Sequence, residues 1–157
     1  MSERERFLAR YRAIAEHSPW VAEAAFELDP DDPADAFTAA ISTASADDQL
    51  RLIQAHPDLA GKAALAGEVT DASAREQASA GLDRLTKDEL AEFHRLNDAY
   101  RARFGFPFII CVREHSKRSI LAAYRARLGH DDAWERATAV AEIVKIARLR
   151  IRDLEQG

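Results

Sequence analysis

His56 stands directly before Pro57 and opens the run Asp58-Leu59-Ala60-Gly61-Lys62. Proline disfavours a helical conformation at the residue before it, so His56 is expected at a break between helices, where its ring can be aimed. An unperturbed pKa near ~6.5 suits that imidazole to moving a proton at neutral pH. A lone histidine is more often structural or merely exposed; the proline-fixed setting is what singles this one out. His17, His94, His115 and His130 lack such a setting and read as structural or solvated.

Glu76 offers a carboxylate with two readings. Ser73 and Glu76 have the spacing of a capping box, so both could simply satisfy amides at a helix start. A helix mouth also presents free N–H groups to an anion or polar ligand, and Gln77 adds an amide that both donates and accepts. Arg148 and Arg150 flank the apolar stripe of the last helix on opposite sides, and periodicity does not choose between them. Either is by default a boundary residue with its stem on apolar surface; either could instead hold a carboxylate through its planar fork of donors. Cys111 lies in an apolar run without an adjacent base and reads as core. Phosphate-binding glycine loops, HExxH, GxSxG and metal-spaced Cys or His pairs are all missing, so no metal site is expected.

The elements that must position these groups read almost entirely as helix. Alanine is abundant, Gly and Pro number 6 and 5, and alternating β-branched runs are absent. Ser18-Pro19, Asp32-Pro33 and Ser45 mark helix starts, with Ser18 and Asp32 as caps before a first-turn proline. An alanine-rich stretch from Leu59 to Ala66 suggests a short helix ending near Gly67. Ser73–Glu76 and Thr86–Glu89 fit capping boxes. The second opens a long helix with Leu90, Phe93, Leu96 or Asn97, Tyr100 and Phe104 at helical spacing, ended by Gly105. Ser116 caps a helix that stops before Gly129, and Asp131 starts the last one. There Trp134, Ala137, Val140, Val144, Ala147, Ile151 and Leu154 form the expected core stripe. Phe106 to Val112 is apolar on every side and begins with an X-Pro step, so it reads as a buried, extended segment. With no sheet to join, its backbone groups must be satisfied by something else, a bound ligand among the options. The fold class expected is all-α, a single-domain multi-helix bundle with one extended apolar segment near 106–112.

Composition narrows the class of function. The 157 residues carry 22 Lys+Arg and 27 Asp+Glu, a net charge of −5, with no basic stripe to follow a nucleic-acid backbone. One cysteine excludes an internal disulfide. No run approaches the ~18 apolar residues of a membrane span, and the charged N-terminus is unlike a secretory signal. A soluble protein of a reducing compartment, the cytoplasm, is expected.

Taken together the motifs are recognisable. His56-Pro57-Asp58-Leu59-Ala60-Gly61-Lys62, Ser73-Ala74-Arg75-Glu76-Gln77 with Ala80-Gly81-Leu82, and Phe104-Gly105-Phe106-Pro107-Phe108-Ile109-Ile110-Cys111-Val112-Arg113 resemble the OHCU decarboxylase family. OHCU is 2-oxo-4-hydroxy-4-carboxy-5-ureidoimidazoline, an intermediate of urate degradation. Ile146-Ala147-Arg148-Leu149-Arg150-Ile151 is similar to the family's final helix, and Ser18-Pro19-Trp20 to an early tripeptide. The resemblance covers nearly all of residues 1–157 as one domain. It implies an all-helical, cofactor-free enzyme, commonly a homodimer, that removes CO2 from OHCU to give (S)-allantoin. It further implies catalytic roles for His56, Glu76 and Arg150. Substrate contacts are implied for Pro57, Ser73, Ala74, Arg75 and Gln77, and for the backbone of Phe108, Ile109, Ile110, Cys111 and Val112. The expectation is that the imidazole, the acid and the guanidinium converge on one small dry cavity. A ureide-binding protein without turnover, and a hydrolase of a related ureide using Glu76 toward water, are the competing readings.

Overall fold

The computed structural model describes residues 1–61 and 69–157. The described residues form eight α-helices and two short 3-10 turns, with no strand among them. They group into two compact units, Met1–Ala55 with Val140–Gly157, and His56–Ala139.

The first unit contains α1 (Glu3–Tyr11), α2 (Trp20–Leu28), α3 (Pro33–Ser42), α4 (Ala46–Gln54) and the later part of α8 (Asp132–Gln156). Ser2 and Glu5 close a reciprocal capping box on α1, each bond 3.1 Å. Asp32 accepts from the Asp35 N–H at 3.2 Å and Ser45 from that of Asp48 at 3.1 Å, so these two starts form as expected. Ser18 does not cap through its side chain. Helix α2 begins at Trp20 after Pro19, and it is the buried Ser18 carbonyl that accepts, from Val21 N–H at 3.1 Å. Small buried residues, Ala22 and Ala25 on α2 with Ala36 and Ala40 on α3, let these two helices pack closely. Phe7, Tyr11, Phe26 and Phe37 form a chain of ring contacts with centroids 4.7 to 6.4 Å apart. Complete burial of a side chain such as Phe37 contributes about 1.5–3 kcal/mol.

The second unit holds the turn after α4, then α5 (Asp71–Ser79), α6 (Lys87–Phe104), the extended segment, a 3-10 turn (Val112–Glu114), α7 (Lys117–Arg127) and the start of α8. Thr86 and Glu89 close the expected capping box on α6, and Gly105 ends it at φ +80, where a side chain would be strained. Ser116 caps α7 and Asp131 accepts from the Trp134 N–H at 2.8 Å. The core gathers Phe93, Leu96, Tyr100, Phe108, Ile120 and Tyr124. Residues 106 to 112 are all buried; Phe106 lies in a bend, 107 to 111 belong to no helix, and Val112 already opens the 3-10 turn, so the run is shorter than the apolar stretch suggests. Of the expected short helix, Leu59 to Gly61 form a turn and the remainder, 62–68, lies outside the described residues.

Two further expectations are corrected. The cap of α5 is Thr70, whose hydroxyl accepts from Ser73 N–H at 3.2 Å; Glu76 sits inside the helix and closes no capping box. The buried face of α8 is also displaced from the apolar stripe. Ala147 and Ile151 are buried, but Trp134 is 62% and Leu154 37% exposed, Ala137 is exposed, and Val140 and Val144 are half-buried. Glu135, Ala139, Glu142, Ile143 and Arg150 fill the inner face instead. Periodicity of apolar residues misses this because charged side chains can be buried when they are paired.

Candidate active site

His56 is half-buried and directly follows Ala55, the C-cap of α4, at the helix break that Pro57 imposes. The chain behind it is held by side chains from two helices. Ala60 N–H donates to Gln77 Oε1 of α5 at 3.0 Å. The Ala60 carbonyl accepts from His94 Nε2 at 2.9 Å, and the Leu59 carbonyl from Asn97 Nδ2 at 2.8 Å, both on α6. Asp58 pairs with Arg101 at 3.0 Å. These contacts hold Ala60 at φ +50, a region that non-glycine residues enter at a cost of about 1–3 kcal/mol. A Cβ at Gly61 would meet the Asp58 Cβ at 3.0 Å and its carbonyl oxygen at 3.2 Å, so the turn is tight there and would have to give to admit a side chain.

Helix α5 turns Ser73 and Gln77 inward, both buried, with Glu76 half-buried; Ala74 and Arg75 are exposed. Since Thr70 caps the helix, Glu76 is released from the role that would have explained it most simply. Helix α5 also packs against the 3-10 turn Val112–Glu114. The His56 turn, the inner face of α5 and the end of the extended segment are therefore brought together within one unit.

The extended segment is fixed by protein groups where a sheet would have served. Arg127 Nη1 donates to the Ile109 carbonyl at 2.6 Å, and the Cys111 and Val112 carbonyls accept from Glu114 and His115 N–H at 3.1 and 3.0 Å. A trans peptide points its N–H opposite its carbonyl, so the Ile110 N–H faces away from Arg127. Arg127 is itself buried, lies 4.3 Å over the Phe108 ring, and pairs through Nε with Glu135 at 2.7 Å. Glu135 is fully buried and takes two further contacts, from the Tyr100 hydroxyl at 2.6 Å and His130 Nδ1 at 2.9 Å. Burial, and then that hydrogen bond to Glu135, push the Tyr100 phenol well up from its ordinary value. Cys111 is a buried free thiol.

In the other unit, burial separates the two arginines that periodicity left equivalent. Arg150 is 8% exposed, its Nη2 2.7 Å from Glu16 Oε1 and its Nη1 donating to the Ile14 carbonyl at 3.0 Å. Arg148 is an exposed surface residue bonded to Asp35 and Thr38.

A cleft of about 460 Å³ opens beside α6, lined by Pro57, Asp58, Gly61, His94, Asn97 and Arg101 among others. His56 and Glu76 are not in its lining. Among the described residues no three His, Cys, Asp or Glu side chains are grouped to hold a metal ion, and no helix is long and apolar enough to cross a membrane. Glu16, Tyr124, Arg127 and Glu135 are the residues that sequence reasoning did not single out. The signals were faint: a polar Asn97 inside an apolar stripe, and a basic Arg127 in the last turn of its helix, where a charge is ordinarily solvated.

Residues 1–152 match the OHCU decarboxylase family. The chain is 42% identical over 153 residues to a 2-oxo-4-hydroxy-4-carboxy-5-ureidoimidazoline decarboxylase of Haloferax volcanii, covering 95% of this chain and 89% of that protein. It is 40% identical to the enzyme of the same name from Halalkalicoccus jeotgali, covering 98% and 87%. Its fold is shared with a crystal structure of OHCU decarboxylase in the presence of (S)-allantoin, with a TM-score of 0.76 at 22% identity, covering 94% of this chain and 99% of that one. With the family match over residues 1–152 and identities of 40–42% across nearly the whole chain, the chain belongs to the OHCU decarboxylase family.

Proposed function

We propose that this protein is a carboxy-lyase that decarboxylates OHCU to (S)-allantoin in urate degradation, with His56, Glu76 and Arg150 as its catalytic side chains. The observation that carries the reading is the family match over residues 1–152, within which all three stand in the motifs that define the resemblance.

The bond that breaks joins the ring carbon to the carboxylate; its electron pair passes into the conjugated ring as CO2 departs. A proton then adds to the carbon bearing the ureido group, and delivery from one face sets the S configuration. Fixed donors aimed at the developing charge stabilise it without reorganising, a role suited to the backbone N–H groups of residues 108 to 112. The Arg127 anchor on the Ile109 carbonyl supports this reading, because it keeps the Ile110 N–H from turning. His56 manages the proton, Glu76 holds the ureido or hydroxyl end, and Arg150 orients the substrate. A guanidinium that merely clamped the leaving carboxylate would stabilise ground and transition states alike and add nothing to the chemical rate. Ser73, Gln77 and Pro57 shape the substrate's surroundings, whereas the exposed Ala74 and Arg75 receive no side-chain role. Residues 1–157 act as one catalytic domain, in the cytoplasm and as a homodimer.

The test uses freshly generated OHCU and follows the chirality of the product. Stereoselective formation of (S)-allantoin above the uncatalysed rate is expected; racemic product at the uncatalysed rate removes the claim. His56→Asn should lower stereoselective turnover about 10²–10⁴-fold with the fold intact. Glu76→Gln should impair turnover per folded molecule; a variant that loses stability but retains that turnover would leave Glu76 a structural role alone. Light scattering of the purified protein, against a monomer mass of 17.5 kDa, decides the dimer.

A further inference from the structure

Two segments of the second unit, the turn after His56 and the run at 106–112, are linked by a chain of buried side chains. The Tyr124 ring of α7 stacks on Phe108, centroids 3.7 Å apart and planes 17° from parallel. Its hydroxyl donates to Asn97 Oδ1 of α6. Asn97 Nδ2 donates in turn to the Leu59 carbonyl at 2.8 Å. The direction of this chain is fixed by chemistry. A carbonyl only accepts, so the amide nitrogen must face Leu59; the amide oxygen then faces Tyr124, and the phenol must be the donor. Tyr124 is fully buried and Asn97 is 6% exposed, so neither bond is exchanged for water. Burial, followed by the charge of Asp58, pushes the Tyr124 phenol up, which keeps the donor protonated.

We propose that Tyr124 and Asn97 are a positioning pair for the decarboxylation, registering the imidazole-bearing turn against the backbone that faces the substrate's ring. The inference rests on the reading given under Proposed function. The pair acts through Leu59 and Phe108. A phenylalanine at 124 would fill the same core space, so the hydroxyl is the part that connects the segments. The Leu59 carbonyl is three residues from His56, near enough that its displacement moves the ring, and displacements of about 1 Å at a reacting centre lower rates by about 10²-fold.

Tyr124→Phe keeps the stacked ring and deletes the donor. Expected are a kcat per folded molecule lowered about tenfold, KM changed less than threefold, and a reduced enantiomeric excess of (S)-allantoin (factors set below the ~10²-fold of a 1 Å displacement). Asn97→Ala should behave alike, and the double variant should be no worse than the poorer single one, because both remove one chain of bonds. Hydrogen exchange supplies a readout apart from activity: the amides of Ala60 and Gly61 and those of Ile109 to Val112 should lose protection together in Tyr124→Phe. A merely structural hydroxyl would lower the unfolding midpoint and leave kcat, product chirality and exchange at these two segments unchanged; that result overturns the inference. Additive effects of the two substitutions also overturn it. If the wild-type protein itself yields only racemic product, the decarboxylase reading fails, whereas the exchange measurement still decides whether the two segments are coupled.

Discussion

Among the described residues two bends hold a non-glycine residue at positive φ, Glu16 at +42° and Ala60 at +50°, and they are held in different ways. Glu16, in the first unit, is held through its side chain, which pairs with the buried Arg150 guanidinium, and through its N–H, which donates to the Ala13 carbonyl at 3.1 Å. Ala60, in the second, has only a methyl group and is fixed by its main chain: the N–H goes to Gln77 and the carbonyl accepts from His94. Strain of this kind persists only where the surroundings over-determine it. The comparison teaches where the determining information resides. At the first bend the bent residue's own side chain takes part, together with Arg150 far along the chain; at the second the information is wholly in residues 17 and 34 positions away.

Glycine substitution separates the two. Glu16→Gly relaxes the backbone but leaves Arg150 buried without this partner. Breaking a buried pair costs about 3–5 kcal/mol, against about 1–3 kcal/mol of relieved strain, so a net loss of about 2 kcal/mol is expected in urea unfolding. Wild-type stability in this variant would mean that the pair with Arg150 contributes nothing. Gln77→Ala probes the second bend from outside. It leaves the Ala60 N–H, in a residue 1% exposed, without its acceptor, for a loss of about 1–3 kcal/mol. Gln77→Glu keeps an acceptor and should lose much less; equal losses would show that the bond to Ala60 is not what holds the turn. Ala60→Gly removes no polar contact. Its stability should stay within about 1 kcal/mol of wild type, because relieved strain, the lost methyl group and a more flexible unfolded chain largely offset one another. A larger loss there would erase the contrast with Glu16.

The smallest effect is expected at the Thr86–Glu89 cap, a control that involves neither bend. The Thr86 N–H, and then Lys117, hold the Glu89 carboxyl below its ordinary value. Its contribution is therefore present above the unfolded carboxylate pKa of about 4.3 and is lost as pH falls through the lower folded value. The stability difference between wild type and Glu89→Gln should be measurable at neutral pH and shrink toward acid. A difference that persists unchanged at the lowest pH would assign it to packing.

Local signals in the sequence were read with most success. Caps at Asp32, Ser45, Thr86, Ser116 and Asp131, the glycine stop at Gly105 and the helix break at Pro57 each depend on residues within a turn of one another, and each appears in the structure. Ser18 and the Ser73–Glu76 pair do not cap as their spacing suggests: α2 starts with no side-chain cap at all, and Thr70, an equally good capping type three residues earlier, takes the role at α5. The inner face of α8 was misread for a different reason. Glu135 and Arg127 are eight residues apart and on different helices, so neither looks buried until the two meet. Arg150 likewise became distinct from Arg148 only through Glu16 and Ile14, more than a hundred residues earlier. The residues of the proposed site were legible as types and motifs, whereas the groups that brace them were not, since bracing is a matter of distant partners.

The extended run from Phe106 to Val112 has a consequence for handling the protein. Folded, it is sealed by rings and by a guanidinium rather than by neighbouring strands. Once the chain opens, seven uncharged residues rich in β-branched and aromatic types are released, with one early proline to interrupt them. Such stretches template cross-chain ladders. Heat-treated solutions should therefore turn cloudy instead of refolding on cooling, and the protein's working lifetime is governed by how fast it opens, not by how far the equilibrium lies toward the folded side.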